Sequence, residues 1–306
     1  MPPRSQPVPG APSASPPPWA GPEDGLPRAP GLKGGNARTG PLPLHPMSFG
    51  DLIDGVFRLL RANARALAPL LLVLAVPFEA LSAYATRNSA GLSQVLSNLA
   101  DLQNRQLSLS TTDLVLSVVA ELGIFLMTPV VAGVVCRTVA ISYIGEQPGS
   151  RQVSRLGARL LLALVVASVM VHALELVASV LCLLPGLAVM ALFVLTAPAI
   201  VLEGLGPVAG MRRSWRLVKR RFWPVLGTAL LGGLMASLAV SLVGLLPDSL
   251  AALASPHVRA VLDAVVGTFT EAFEWALVTM LATLLYFDQR IRQEGLDLEV
   301  MAARAR

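Results

Sequence analysis

Six stretches of this chain are so long and so apolar that they decide the fold before anything else is considered. They are Ala66–Tyr84, Leu114–Cys136 with a run-on to Ile144, Leu160–Leu183, Leu184–Leu202, Pro224–Leu246 and Gly267–Phe287. A helix needs about 20 mostly apolar residues to cross the ~30 Å hydrocarbon core of a bilayer. In hydrocarbon every backbone N–H and C=O must be bonded inside the protein, so runs of this length are helices. Composition closes off the soluble alternative: 54% of the residues are apolar and only 14% are charged, against about 25% charged in soluble domains. The expected architecture is all-α: a polytopic membrane helix bundle of about six spans in three hairpins. A Leu-Pro-Gly turn at 184–186 separates the third span from the fourth, and the sixth carries Glu271 and Glu274 in its first third. Residues 47–288 form the membrane domain. Residues 1–46 hold 14 of the 24 prolines and seven glycines, with no apolar run, and read as a disordered tail; residues 289–306 read as a short C-terminal tail.

Charge sets the expected orientation. Arg and Lys gather on the cytoplasmic side of membrane spans. The segments before the first span, at 145–159, at 204–223 and after the sixth span hold sixteen cations, whereas the alternate loops hold Arg87, Arg105 and Arg259 alone. Both termini are therefore expected in the cytoplasm, with the chain in the cytoplasmic (inner) membrane. In that topology Cys136 and Cys182 sit near opposite faces and form no disulfide.

The basic segments are patterned as well as charged. SFGDLIDGVFRLLRANAR before the first span sets Asp51, Asp54, Arg58, Arg61 and Arg65 at helical spacing beside a stripe of Phe49, Leu52, Ile53, Val56, Leu59 and Leu60, and Ser48 followed by Asp51 offers a helix cap. In 206–223, Pro207 fits a first helical position. Met211, Trp215, Val218 and Phe222 make one stripe, and Arg212, Arg216, Lys219 and Arg220 the other. GSRQVSRLGARL at 149–160 is a weaker third copy. Each reads as an amphipathic helix lying in the interface ahead of a span. The candidate headgroup contacts are Arg58, Arg61, Arg212, Arg213, Arg216, Lys219 and Arg220.

Ionisable groups at membrane depth cost about 2.5–3.5 kcal/mol each on insertion scales and call for a partner or a purpose. Glu121 lies in the second span; His172 and Glu175 share a face of the third, one turn after Ser168. Helix-to-helix polar contacts are the plain reading, and a proton or ion path is the functional one. Three histidines in the whole chain, one of them in the tail, do not make a metal site. Ser168, His172 and Glu175 on one helix lack an oxyanion hole. GLKGGNARTG at 31–40 lacks the spacing of a phosphate loop, and cations interleaved with apolar runs do not form a nucleic-acid surface. No cofactor is expected.

PMSFGDLIDGVFRLLRAN (46–63), MTPVVAGVVCRTVA (127–140), VLEGLGPVAGMRRSWRLVKRRFWPVLG (201–227) and LLYFDQRIRQEGLDLE (284–299) resemble actinobacterial membrane proteins carrying a glycerophosphoryl diester phosphodiesterase membrane domain. The resemblance spans about residues 46–300 and implies a polytopic cytoplasmic-membrane protein. It implies no diesterase activity: that chemistry belongs to a separate soluble barrel of about 250 residues, for which the pieces outside the spans are too short. The expected function is therefore non-enzymatic, namely binding or organising anionic phospholipid, or a membrane protein partner, through the basic helices. The alternative is a small transporter or permease-like protein working through Glu121, His172 and Glu175.

Overall fold

The computed structural model describes residues 46–86, 111–143, 148–154, 156–251 and 255–295. Apart from Pro46, the expected N-terminal tail lies outside these residues, as do 296–306. Among the described residues the chain is a helix bundle without strands: α1 (Phe49–Thr86), α2 (Thr111–Tyr143), α3 (Ser150–Ser154), α4 (Ala158–Leu181), α5 (Leu183–Phe193), α6 (Thr196–Glu203), α7 (Pro207–Lys219), α8 (Phe222–Ala251) and α9 (Pro256–Glu294). Six segments are long and apolar enough to cross a membrane: α1, α2, α4, α5 with α6, α8 and α9. Large apolar side chains such as Val73, Leu162, Leu176, Val180, Leu181 and Leu242 stand exposed around the bundle. A soluble monomer rarely exposes apolar surface on this scale, whereas a bilayer covers it. This is a multi-pass membrane protein.

The expected hairpins are present, since α1 packs on α2, α4 on α5 and α8 on α9. What joins them is α9, which lies along α1 and against α2 as well as α8. Leu59, Leu67, Val135, Val139, Leu217, Met280, Leu284 and Tyr286 are fully or almost fully buried in the shared core. The α8–α9 contact needs Gly232, where a Cβ would collide with the Leu281 side chain.

Ser48 caps α1 as its spacing predicts. Its hydroxyl accepts from the Asp51 amide (3.3 Å) and donates to the Asp51 carboxylate (2.7 Å), which in turn accepts from the Ser48 amide (2.9 Å). The basic stretch that follows is not a separate interfacial helix. α1 runs unbroken for 38 residues, about 57 Å at 1.5 Å per residue. Nothing between Phe49 and Arg65 can stop a helix, and Leu52, Val56 and Leu59 are buried in the core. α7, by contrast, is its own element, because the chain turns at Arg220 and Arg221 before α8 begins.

Three further boundaries differ from the sequence reading. The third and fourth spans part at Cys182, which is extended, so Pro185 and Gly186 fall in the first turn of α5 rather than in the turn itself. The fourth span is broken at Val194–Leu195 into α5 and α6. Residues 289–294, expected in the C-terminal tail, are the last turns of α9; the helix stops at Gly295, whose left-handed backbone (φ 67°) returns an N–H to the Ile291 carbonyl. Cys136 is buried and Cys182 exposed, and both are free thiols.

Candidate functional site: a locked basic end and a cavity between the spans

The helix of the basic burst is held down by its own small residues. Gly210, Met211, Ser214, Leu217 and Val218 face the bundle. The buried stripe is thus rotated from the one the sequence suggested: Trp215 is about half exposed, and Ser214 and Leu217 go inside. Ser214 supports the broken span. Its hydroxyl donates to the Leu192 carbonyl (2.7 Å) and accepts from the Leu195 amide (3.2 Å), replacing hydrogen bonds that the break takes from the helix ladder. A Cβ at Gly210 would collide with Ile200, so glycine is what lets α7 lie flush on α6.

Arg213 is separated in role from the cations around it. Its Nε donates to both Glu203 oxygens (2.9 and 3.1 Å). Its Nη1 and Nη2 make a two-pronged contact with Glu294 at 2.5 and 2.7 Å. Tyr286 donates its hydroxyl to Glu203, and Arg290 donates to Glu294 at 3.0 Å while stacking over the Tyr286 ring. The hydrogen bond that Arg213 donates to Glu294, and then that to Glu203, outweigh burial and hold its guanidinium well above its already high range. The side chain is only 14% exposed. It ties α6, α7 and α9 together, with all three guanidinium nitrogens engaged by Glu203 and Glu294.

A second clamp sits beside it. Asp288 accepts from the Met47 amide (2.8 Å) and from Arg292 Nε through both oxygens (2.8 Å each), while Arg292 Nη2 donates to the Met47 carbonyl (2.6 Å). Gln293 donates to the Leu217 carbonyl at the end of α7 (2.7 Å). Asn63 and Ser142 add a buried bond between α1 and α2 (3.0 Å). Sequence reasoning counted Arg290 and Arg292 as orientation charges and gave the acids no role. The i,i+4 pairs Asp288–Arg292 and Arg290–Glu294 were the signal available.

The remaining headgroup candidates divide by exposure. Arg58 is paired with Asp54 at 3.3 Å, and its Nε is buried without a hydrogen-bond partner. Arg61, Arg212, Arg216, Lys219 and Arg220 are exposed. Arg216, Lys219 and Arg220, with Gln293 and the locked Arg213–Glu294 pair, border a cleft of about 190 Å³. Trp215 and Trp223 are exposed beside them.

The intramembrane candidates fall into two places. His172 and Glu175 line a cavity of about 290 Å³ walled by α2, α4, α5–α6 and α9. There His172 Nδ1 is 2.8 Å from the Ser168 carbonyl, and Phe125 meets the imidazole edge-on. Glu121 belongs elsewhere: its carboxylate acts electrostatically on Glu79 and Glu271, and Glu274 also acts on Glu271. No spacing in the sequence groups these four acids, which come from three different spans. Among the described residues no group of His, Cys, Asp and Glu is arranged to hold a metal ion.

One family model matches the chain, Domain of unknown function (DUF7847), over residues 47–286. No curated protein and no solved structure matches it.

Proposed function

The chain belongs to the DUF7847 family, and on that footing we propose that it is a non-enzymatic membrane protein that binds anionic phospholipid at the exposed cationic face of α7. The observation that carries this reading is the division of labour within one short helix. Arg213 and Ser214 fasten α7 to the bundle, so Arg212, Arg216, Lys219 and Arg220 stand exposed on a rigid platform instead of a floppy loop. Each cation beside an anionic leaflet contributes about 1 kcal/mol, so four contribute about 4 kcal/mol. Trp215 and Trp223 suit the headgroup level, where indole rings gather. In this reading the basic end faces the cytoplasm, Arg61 adds a contact from α1, and the cleft bordered by Arg216, Lys219 and Arg220 receives a phosphate. A permease using Glu121, His172 and Glu175 together draws less support, because Glu121 acts on Glu79 and Glu271 rather than on the cavity pair.

The test is lipid-dependent stability of the purified full-length protein in neutral detergent. Short-chain phosphatidylglycerol is expected to raise Tm where short-chain phosphatidylcholine does not, and salt is expected to erode the gain. The R212Q/R216Q/K219Q/R220Q variant is expected to lose it while keeping its lipid-free Tm. Equal stabilisation by both lipids, or an unchanged response of the variant, would refute the reading.

A further inference from the structure

The 290 Å³ cavity between the spans is independent of the basic end and has its own chemistry. Its size is at the lower end of the range for small-molecule sites, about 300–1,000 Å³. Most of the wall is hydrocarbon, including Pro129, Leu164, Ala167, Val171 and Phe193, and among the described residues no Arg or Lys lines it. An anionic head would find no guanidinium or ammonium among these residues and would meet the Glu175 carboxyl.

Three polar features remain in the wall. The first is Thr196, 5% exposed, whose hydroxyl is buried with no hydrogen-bond partner. Buried polar groups are nearly always paired, so an orphan on the wall of a cavity points to a missing bond. The second is the break in the fourth span. It puts the N-terminus of α6 at this same Thr196 with no side-chain cap, and such an end favours an oxygen and disfavours a cation. The third is the pair His172 and Glu175. A carbonyl can only accept, so His172 Nδ1 carries the proton it gives to the Ser168 carbonyl. The Glu175 carboxyl supplies acceptor oxygens from the same helix. Donors therefore lie at Thr196 and the α6 terminus, and acceptors on α4. An ammonium has no lone pair for the first set, and a carboxylate is repelled by the second. A hydroxyl serves either.

We propose that this cavity binds one neutral apolar chain ending in a hydroxyl, a lipid alcohol, with Thr196 bonding its oxygen. The structure supplies the pocket, the unpaired hydroxyl and the uncapped helix end. Straight-chain and isoprenoid alcohols share this chemistry.

The experiment is saturable binding of radiolabelled 1-dodecanol to the purified full-length protein in detergent. It is competed by unlabelled dodecanol, farnesol, dodecylamine and dodecanoic acid. One or both alcohols are expected to compete at least about tenfold better than the amine or the acid, and which alcohol wins identifies the chain type. Thr196→Val keeps the shape and removes the hydroxyl. It is expected to weaken dodecanol binding about tenfold, the scale of one hydrogen bond, while the ligand-free Tm holds or rises because no orphan is left. Ala167→Phe fills the cavity and is expected to abolish saturable binding. Should it fail to fold, Thr196→Val alone decides. Absence of saturable binding, competition by the amine or acid equal to that of the alcohols, wild-type affinity in Thr196→Val, or full binding in a folded Ala167→Phe would each overturn the proposal.

Discussion

Replacing Arg213 by Gln separates a structural arginine from its solvent-facing neighbours. The change removes four charge-assisted hydrogen bonds, two to Glu203 and two to Glu294. Breaking a fully buried pair costs about 3–5 kcal/mol, because the partner is left charged and alone. A surface pair is worth about 0–1 kcal/mol. The side chains here are 14%, 22% and 30% exposed, so the site falls between these limits. Arg290 still donates to Glu294 (3.0 Å) and lies 3.9 Å from Glu203, which softens the loss. About 2–3 kcal/mol of destabilisation is expected. Equilibrium unfolding in mixed micelles measures it, with R212Q and R216Q alongside as exposed cations on the same helix, each expected within about 0.5 kcal/mol of wild type. R213Q combined with E294Q should cost less than the sum of the two single changes, since the pair is then removed together. If R213Q is as stable as R212Q, or if the double change is additive, Arg213 does not hold α6, α7 and α9 together, and α7 loses its claim to be a fixed platform.

Three other outcomes follow from the packing. Ser214→Val leaves the Leu195 N–H orphaned at the break in the fourth span and is expected to cost about 1–3 kcal/mol in the same unfolding assay; wild-type stability would show that the break needs no support from α7. Gly232→Leu drives a side chain into Leu281, and the overpacking is expected to cost about 1–3 kcal/mol, read as a lower Tm, whereas Gly233→Leu, with open space at its Cβ, serves as the neutral control. In the folded protein a small maleimide is expected to label Cys182 and spare Cys136; the reverse order, or an oxidised intramolecular pair, contradicts the packing of α2 on α9.

Where a feature depends on local pattern, the sequence shows it. The six apolar runs, the Ser48–Asp51 cap and Pro207 at the start of α7 are all decided by neighbours a few residues away. Pro198, which has no N–H and whose ring crowds the Val194 carbonyl four residues back, marks the interruption of the span at Val194–Leu195, but the local sequence does not show what supports that break. It is stabilised by Ser214, 19 residues beyond Leu195. Nothing in MRRSWRLVKRR distinguishes Arg213 from Arg212 either; the difference is made by Glu294, 81 residues further on. His172 and Glu175, three apart on one helix, both line the cavity. The assignment of Glu121 to them rested on membrane depth alone, and depth does not say which face of a bundle a side chain occupies.

The clamp between Met47 and Asp288 joins residues 241 positions apart. A ribosome making about 5–20 residues per second takes roughly 10–50 s to cover that distance. Throughout this interval the Met47 amide ahead of the first helix has no aspartate to receive it, and Glu203, once made, waits a further 83 residues for Tyr286. The bundle therefore closes last at the end that was made first. A chain cut short before residue 286 would hold its other hydrophobic segments and still lack both clamps, since Tyr286, Asp288, Arg292 and Glu294 all lie in the last turns of α9.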